Sequence, residues 1–320
     1  MLGILKYILY IIILILIVAS LIITLQNAYI KQLPGSILLS SNSVYRFYAS
    51  KPKEIRKIFP LFAKPVFYAR FASFSPRPNE CVIFLELNNN ENLAFLNLNT
   101  GITTPVLREG GDTLKITNQN EGDEFTFPSI SPNSDTILFF KSWNNIHFPY
   151  PQGEIFIIKS HKNIIKLTSI VCLAAAKASW APDSKVFIFS SINSEIIKIN
   201  IEKPLEYATI RRGINPVFSP NGKLIAYVSG ANICICDENG LNERIIVTNY
   251  DHFASRNRHS NPTQIAWSPD GKYLLYQRES QLPLPIPIPQ FDGIVVNINN
   301  PLLKLKLWAR NNYYSSIDWK

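Results

Sequence analysis

The chain has 320 residues, 47% of them hydrophobic and 17% charged, with a formal net charge of +9. That is too apolar for an intrinsically disordered chain, and long enough for two ordinary domains or one large repeat fold. No stretch matches a nucleic-acid-binding motif, so the positive charge does not by itself argue for a nucleic-acid partner.

Residues 1–6 form a short tail, and Tyr7–Leu25 is apolar throughout except for Ser20 and Thr24. Nineteen helical residues span about 28 Å, enough to cross a bilayer core, whereas the apolar core of a cleaved signal peptide runs about 7–15 residues. Val18-Ala19-Ser20 would pass as a weak cleavage site, but the apolar run continues beyond it. The expectation is an uncleaved transmembrane signal anchor. Lys6 precedes the span and Lys31, Lys51 and Lys53 follow it, so the positive-inside rule does not decide its orientation. A linker over residues 26–34 reaches about 30 Å at most, which would hold the remainder, residues 35–320, close to the membrane. The basic run Lys51–Lys57 reads either as a solvated hairpin loop or as a patch that touches anionic headgroups.

The body of the chain repeats one phrase. Ile265–Tyr276, IAWSPDGKYLLY, reads as strand, turn, strand. Pro presets φ in the turn, Asp is tolerated next, and Gly takes the left-handed position. Pro216–Tyr227, Ala178–Phe189, Pro128–Phe140 and Ala72–Phe84 repeat it with decreasing fidelity. The turn residues are Ser75 and Pro76; Ser131 and Pro132; Pro182 and Asp183; Ser219, Pro220, Asn221 and Gly222; and Ser268, Pro269, Asp270 and Gly271. The hydrophobic anchors before the turns are Phe74, Ile130, Trp180, Phe218 and Trp267, spaced 56, 50, 38 and 49 residues apart. A strand–turn–strand unit at this period marks a β-propeller with one four-stranded blade per repeat. Tyr314–Trp319 has the small-then-aromatic form of a first strand, and Pro34–Phe59 reads as three strands lacking one. The expected fold is therefore all-β: a six-bladed β-propeller of four-stranded blades, closed three strands plus one, preceded by one transmembrane helix.

An aromatic followed by Ser-Pro-Asp-Gly-Lys, then three apolar residues and Tyr or Phe, resembles the TolB-like propeller family, relatives of WD-repeat propellers. The units at Phe218 and Trp267 match nearly in full and three others in part. The resemblance covers about Gly35 onward, with no counterpart of the additional N-terminal globular domain of TolB proteins. It implies an exported location, with the propeller on the extracytoplasmic (periplasmic or cell-surface) side, and it fixes function poorly.

The connections divide into two classes. Those joining strands one–two and three–four of a blade are short; those joining two–three, or one blade to the next, hold the long segments Arg108–Glu124, Trp143–Gly153, Ser169–Ala176, Tyr250–Pro262 and Glu279–Gln290. Long loops on one rim of a rigid scaffold are where binding is usually placed. Trp143, His147, Phe148 and Tyr150 suit contact with protein or sugar. Tyr250, His252, Arg256, Arg258 and His259 suit a basic rim for an acidic partner. A metal site from Asp251, His252 and His259 and a plainly solvated surface are the alternatives there. The carboxylates Glu109, Asp112, Glu121, Asp123 and Glu124 lack the order of a calcium-binding loop. Leu282–Pro289 alternates proline with aliphatic residues and is expected to be extended.

Cys81, Cys172, Cys234 and Cys236 lack zinc-site spacing and read as buried thiols. Nucleophile-elbow, zinc-peptidase, phosphate-loop and dinucleotide motifs are absent from the sequence. The channel-lining strands carry small residues, Ala72, Ser73, Ala178, Ser179 and Ala266, without a cluster of acids and bases. The reading is a membrane-anchored module that binds one or more protein partners through its long-loop face, with no cofactor, metal or nucleic acid. The alternative is a propeller enzyme or carbohydrate-binding protein that works at the channel mouth through His147, His252, Asp251 and Arg256.

Overall fold

The structure is a computed structural model that describes residues 2–41, 43–59, 67–87, 90–106, 115–116, 124–143, 151–159, 164–173, 177–230, 232–248, 264–281, 289–310 and 316–320. It opens with one long helix, α1 (Leu2–Ile30), whose stretch Tyr7–Ile30 is long and apolar enough to cross a membrane. Its length and composition suit a membrane anchor and equally a signal sequence. The helix continues past Leu25, so only Lys31–Gly35 separates it from the first strand.

Six antiparallel sheets follow, each with a path of four strands, and two of them carry a fifth short strand. Blade 1 holds β1 (Ser36–Ser40), β2 (Val44–Tyr48) and β3 (Arg56–Phe59). Blade 2 holds β4 (Phe67–Phe74), β5 (Glu80–Leu87), β6 (Asn90–Asn97) and β7 (Thr103–Pro105), and the short β8 (Lys115–Ile116) adds to β6. Blade 3 holds β9 (Glu124–Ile130), β10 (Thr136–Trp143), β11 (Gln152–Lys159) and β12 (Ile164–Lys166), and β13 (Cys172–Leu173) adds to β11. Blade 4 holds β14 (Ser179–Trp180), β15 (Val186–Ser190), β16 (Glu195–Asn200) and β17 (Lys203–Arg212). Blade 5 holds β18 (Ile214–Phe218), β19 (Leu224–Ser229), β20 (Asn232–Asp237) and β21 (Arg244–Val247). Blade 6 holds β22 (Ile265–Trp267), β23 (Tyr273–Gln281), β24 (Pro289–Asn297) and β25 (Lys304–Arg310). The last strand, β26 (Ser316–Trp319), pairs with β1, Trp319 opposite Ile37 and Ser316 opposite Ser40. The ring thus closes three strands plus one, as the sequence implies, and closure removes the sheet edges an open array would expose.

The second strands are apolar on both faces because each face meets a different neighbour. Along β19, Ile225 and Tyr227 pack toward blade 4, while Leu224, Ala226 and Val228 pack toward blade 6. The buried apolar residues accordingly fall into six clusters, each spanning one interface between adjacent blades. Two-residue strand periodicity therefore supplies both walls of every blade.

The repeat turns share one hydrogen-bond design. Ser268 Oγ accepts from Tyr273 N at 2.9 Å and donates to Asp270 Oδ1 at 2.6 Å; Gly271 N donates to Ser268 O. Ser219 with Asn221, and Ser131 with Asn133, repeat the arrangement. The left-handed position is filled in all five turns, by Gly271, Gly222, Ser184, Ser134 and Asn79. Adjacent turns also touch: Pro182 of blade 4 lies against Gly222 of blade 5, and Pro220 of blade 5 against Gly271 of blade 6.

The anchor tryptophans work as wedges with a polar handle. Trp180 Nε1 donates to Ser129 O of the preceding blade at 3.3 Å, and Trp267 Nε1 to Val217 O at 3.0 Å. Each indole fills an inter-blade cluster while its N–H satisfies a carbonyl of the neighbouring inner strand.

Candidate functional site

Antiparallel pairing throughout each blade fixes two faces of the disc. On one face, the connections 49–55, 75–79, 98–102, 131–135, 181–185, 201–202, 219–223, 238–243, 268–272 and 298–303 are all short, none longer than the seven residues of 49–55. The connections from β7 to β9, from β10 to β11, from β12 to β14 and from β21 to β22 start and end on the opposite face, and each is longer than any of these. Length alone makes the second face the elaborated one. α1 enters on the plain face, because Gly35 meets Pro269 of a repeat turn and Ser36 N donates to Lys320 O.

One expected loop is shorter than the sequence implies. β23 and β24 stay paired out to Gln281 opposite Pro289, leaving only residues 282–288 between them. Register set near Tyr273 carries the hairpin through QRES, whose own strand preference is weak. Pro289 stands at the first position of its strand, where a missing N–H costs no ladder bond. Parts of two other connections fold back as strands: β8 pairs with Glu91 and Asn92, and β13 with Gln152 and Gly153. The short outer strands β7 and β12 leave that half of β6 and β11 open, and the returning chain covers it.

Of the predicted contact residues, Trp143 lies at the end of β10, half-buried and paired with Gln152. His147, Phe148, Tyr150, Tyr250, His252, Arg256, Arg258 and His259 lie outside the described residues, as do Asp251 and the acidic residues Glu109, Asp112, Glu121 and Asp123. Among the described residues no group of three or more His, Cys, Asp or Glu side chains could hold a metal ion. The four cysteines are free and buried in inter-blade clusters. Burial pushes the thiols of Cys234 and Cys236 up to about 11, and it also raises those of Cys81 and Cys172 well above the ordinary thiol value.

The central channel holds charged groups that the sequence reading placed nowhere near each other. Asp318 on β26 accepts hydrogen bonds at 2.9 Å from Ser73 Oγ and Phe74 N of blade 2. Lys177, just before β14, reaches Asp318 Oδ1 at 2.6 Å and Ser73 Oγ at 3.4 Å. Blades 1 and 4 are opposite in a six-membered ring, so this ion pair spans the channel. The expected small residues are on the inner strands, and one acid and one base that the sequence reading did not bring together lie among them. The signal is present once the repeats are aligned on their anchors. The position before the anchor reads Ser73, Ser129, Ser179, Val217, Ala266 and then Asp318; three before it reads Phe71, Phe127, Lys177, Asn215, Gln264 and Ser316. Asp318 and Lys177 are the charged exceptions in those two columns.

A second polar cluster ties the rims of blades 4 and 5. Glu243 accepts from Tyr227 Oη at 2.6 Å and from Arg211 Nη2 at 2.5 Å, and Arg211 also donates to Gly240 O at 2.8 Å. The Tyr227 hydroxyl holds the Glu243 carboxyl below the ordinary carboxylate range. Both clusters compensate their own charges internally, as structural ties do.

No family profile matches the sequence, and no curated protein sequence is significantly similar to it. Solved structures do match. TolB from Acinetobacter baumannii aligns over 89% of this chain at 17% identity with a TM-score of 0.63, and the chain spans 66% of that structure's length. A putative TolB from Agrobacterium tumefaciens aligns over 90% of this chain and 99% of its own at 12% identity and a TM-score of 0.54. A chain of a nidogen/laminin complex aligns over 89% and 97% at 9% identity and a TM-score of 0.59. The fold these structures share with the chain is the six-bladed β-propeller. Likeness at these identities establishes architecture alone, so the working surface of the disc has to be argued from its own residues.

Proposed function

We propose that the protein is a single-pass, membrane-anchored propeller that works on the extracytoplasmic side as a protein-interaction module, and that its long-loop face is the binding surface. The observation that carries this reading is the unequal distribution of chain between the two faces of the disc. A rigid ring whose inner channel is bridged by Lys177 and Asp318 offers a scaffold, and long connections gathered on one rim supply adaptable surface. Trp143, His147, Phe148 and Tyr150 supply aromatic anchors in this proposal, and Tyr250, His252, Arg256, Arg258 and His259 a basic rim for an acidic partner. The export assignment leans on the N-terminal position of α1 and on the TolB-like architecture. With α1 entering on the plain face, the long-loop face points away from the bilayer.

The test is affinity capture from crosslinked cells with the full chain as bait. It is compared with a variant in which 144–151 and 249–263 are replaced by short Gly/Ser loops. A protein retained by the intact chain and lost by the variant supports the reading. Identical capture profiles would remove its support and direct attention to sugars or small ligands at the channel mouth.

A further inference from the structure

We propose that the corner of the plain face around the exit of α1, built from blades 6 and 1, is a lipid-docking surface that takes the anionic headgroups of the bilayer holding the helix. This rests on the reading of α1 as a membrane anchor.

Three elements converge at that corner. Ile30 at the end of α1, Leu33 just after it, Ile55 before β3 and Leu303 before β25 all pack on one cluster with Trp308, Leu305 and Trp319. Leu33 is 3% exposed, so the five residues between helix and β1 are pinned to the propeller and leave no slack. Gln32 N and Leu33 N donate back to Tyr29 O and Ile30 O, which continues the turn of the helix into the tether. Whatever surrounds this exit lies at the membrane surface when α1 spans it.

What surrounds it is basic. Lys31, Lys51, Lys53, Arg56, Lys57 and Lys304 are all exposed. The carboxylates against them among the described residues are Glu54, which Lys51 meets at 3.3 Å, and Asp270 in the turn that Gly35 touches, which lies 3.9 Å from Lys272. Among the cations stands Leu302, 94% exposed. It is held there by a built turn: Asn299 N and Asn300 N donate to Asn297 Oδ1, and Leu303 N donates to Asn300 O. A fixed apolar tip beside a group of cations is the combination that enters a headgroup layer. The cations are drawn to anionic lipid over a screening length of about 8–10 Å, and the apolar side chain leaves water. Lysine and arginine stems can lie along the interface while their charges stay wet.

The test uses the full chain reconstituted in vesicles of phosphatidylcholine alone or with added phosphatidylglycerol. Flotation that resists alkaline carbonate reports insertion of α1 in both lipids. An environment-sensitive dye on Leu302→Cys reports docking, the four native thiols being buried. The expected result is flotation in both lipids and a blue-shifted emission only with phosphatidylglycerol, reversed by high salt. The shift should be lost when Lys31, Lys53, Arg56, Lys57 and Lys304 are changed together to Gln, and absent for the dye on Thr248→Cys. All seven positions are solvent-exposed, and retention of the far-ultraviolet spectrum verifies folding. Flotation with the Leu302 dye equally water-exposed in both lipids would overturn the docking surface while leaving the anchor intact. A blue shift that survives the Gln variant would also overturn it. Failure to float would overturn the anchor reading and the docking surface with it.

Discussion

Lys177 Nζ and Asp318 Oδ1 lie 2.6 Å apart, although they belong to blades on opposite sides of the ring. The same carboxylate takes a backbone N–H and a hydroxyl from blade 2. One residue of the closing strand therefore binds the blade beside it and the blade across from it.

The two partners should not be worth the same. Asp318→Ala removes the ion pair and orphans the Phe74 N–H, and is expected to cost about 3–4 kcal/mol. Lys177→Met leaves Asp318 with its two blade-2 donors and should cost about 1–2 kcal/mol. Denaturant unfolding of the detergent-solubilised chain measures both. Equal losses would mean that the blade-2 contacts contribute nothing.

Deleting Ser316–Lys320 should open the ring. It exposes the edge of β1 and removes Ile317 and Trp319 from the interface between blades 6 and 1. Loss of the cooperative unfolding transition is expected, with early tryptic cleavage in blade 1. An unchanged transition would show that the closing strand is dispensable.

Two glycines separate backbone strain from crowding. Gly271 has φ +68, and a Cβ there would meet only Pro220 Cδ at 3.7 Å, so Gly271→Ala should cost about 1 kcal/mol. A Cβ on Gly293 would lie 2.2 Å from the Trp308 ring, so Gly293→Ala should cost about 3 kcal/mol by overpacking. The reverse ranking in thermal or denaturant unfolding would contradict the packing of Trp308 on β24.

Thiol reactivity and acid stability report on blades 4 and 5. With Cys234 and Cys236 pushed up to about 11 and enclosed, no thiol should react at pH 8 until the protein unfolds, when four should. Glu243 has its native pKa depressed, so its stabilising contribution is fully present above the unfolded carboxylate value of about 4.3 and is lost as pH falls through the lower native value. Glu243→Gln should therefore flatten the acid limb of the stability curve. An unaltered limb would show that the Tyr227 and Arg211 contacts do not set it.

The ring was readable because its cause is local and repeated. Ser-Pro-Asp-Gly fixes a turn, the anchor before it fixes a wedge, and the displaced YSSIDW strand reveals closure. The channel pair was less visible because it depends on which blades face each other, a count that no single repeat contains. The extent of β23 and β24 was missed for a related reason: hairpin register carried Arg278–Gln281 into pairing against local preference. Bulged inner strands, with Phe71, Phe127 and Asn215 at φ of 54, 53 and 54, have no sequence signature.

Which face of the disc meets a partner can be read directly. A photoreactive phenylalanine analogue placed at Trp143 or Thr248 on the long-loop side, and at Lys223 on the plain side, would be irradiated in cells carrying the full chain. The account predicts a common protein adduct from positions 143 and 248 and none from 223. An adduct from 223 with none from the other two would contradict it.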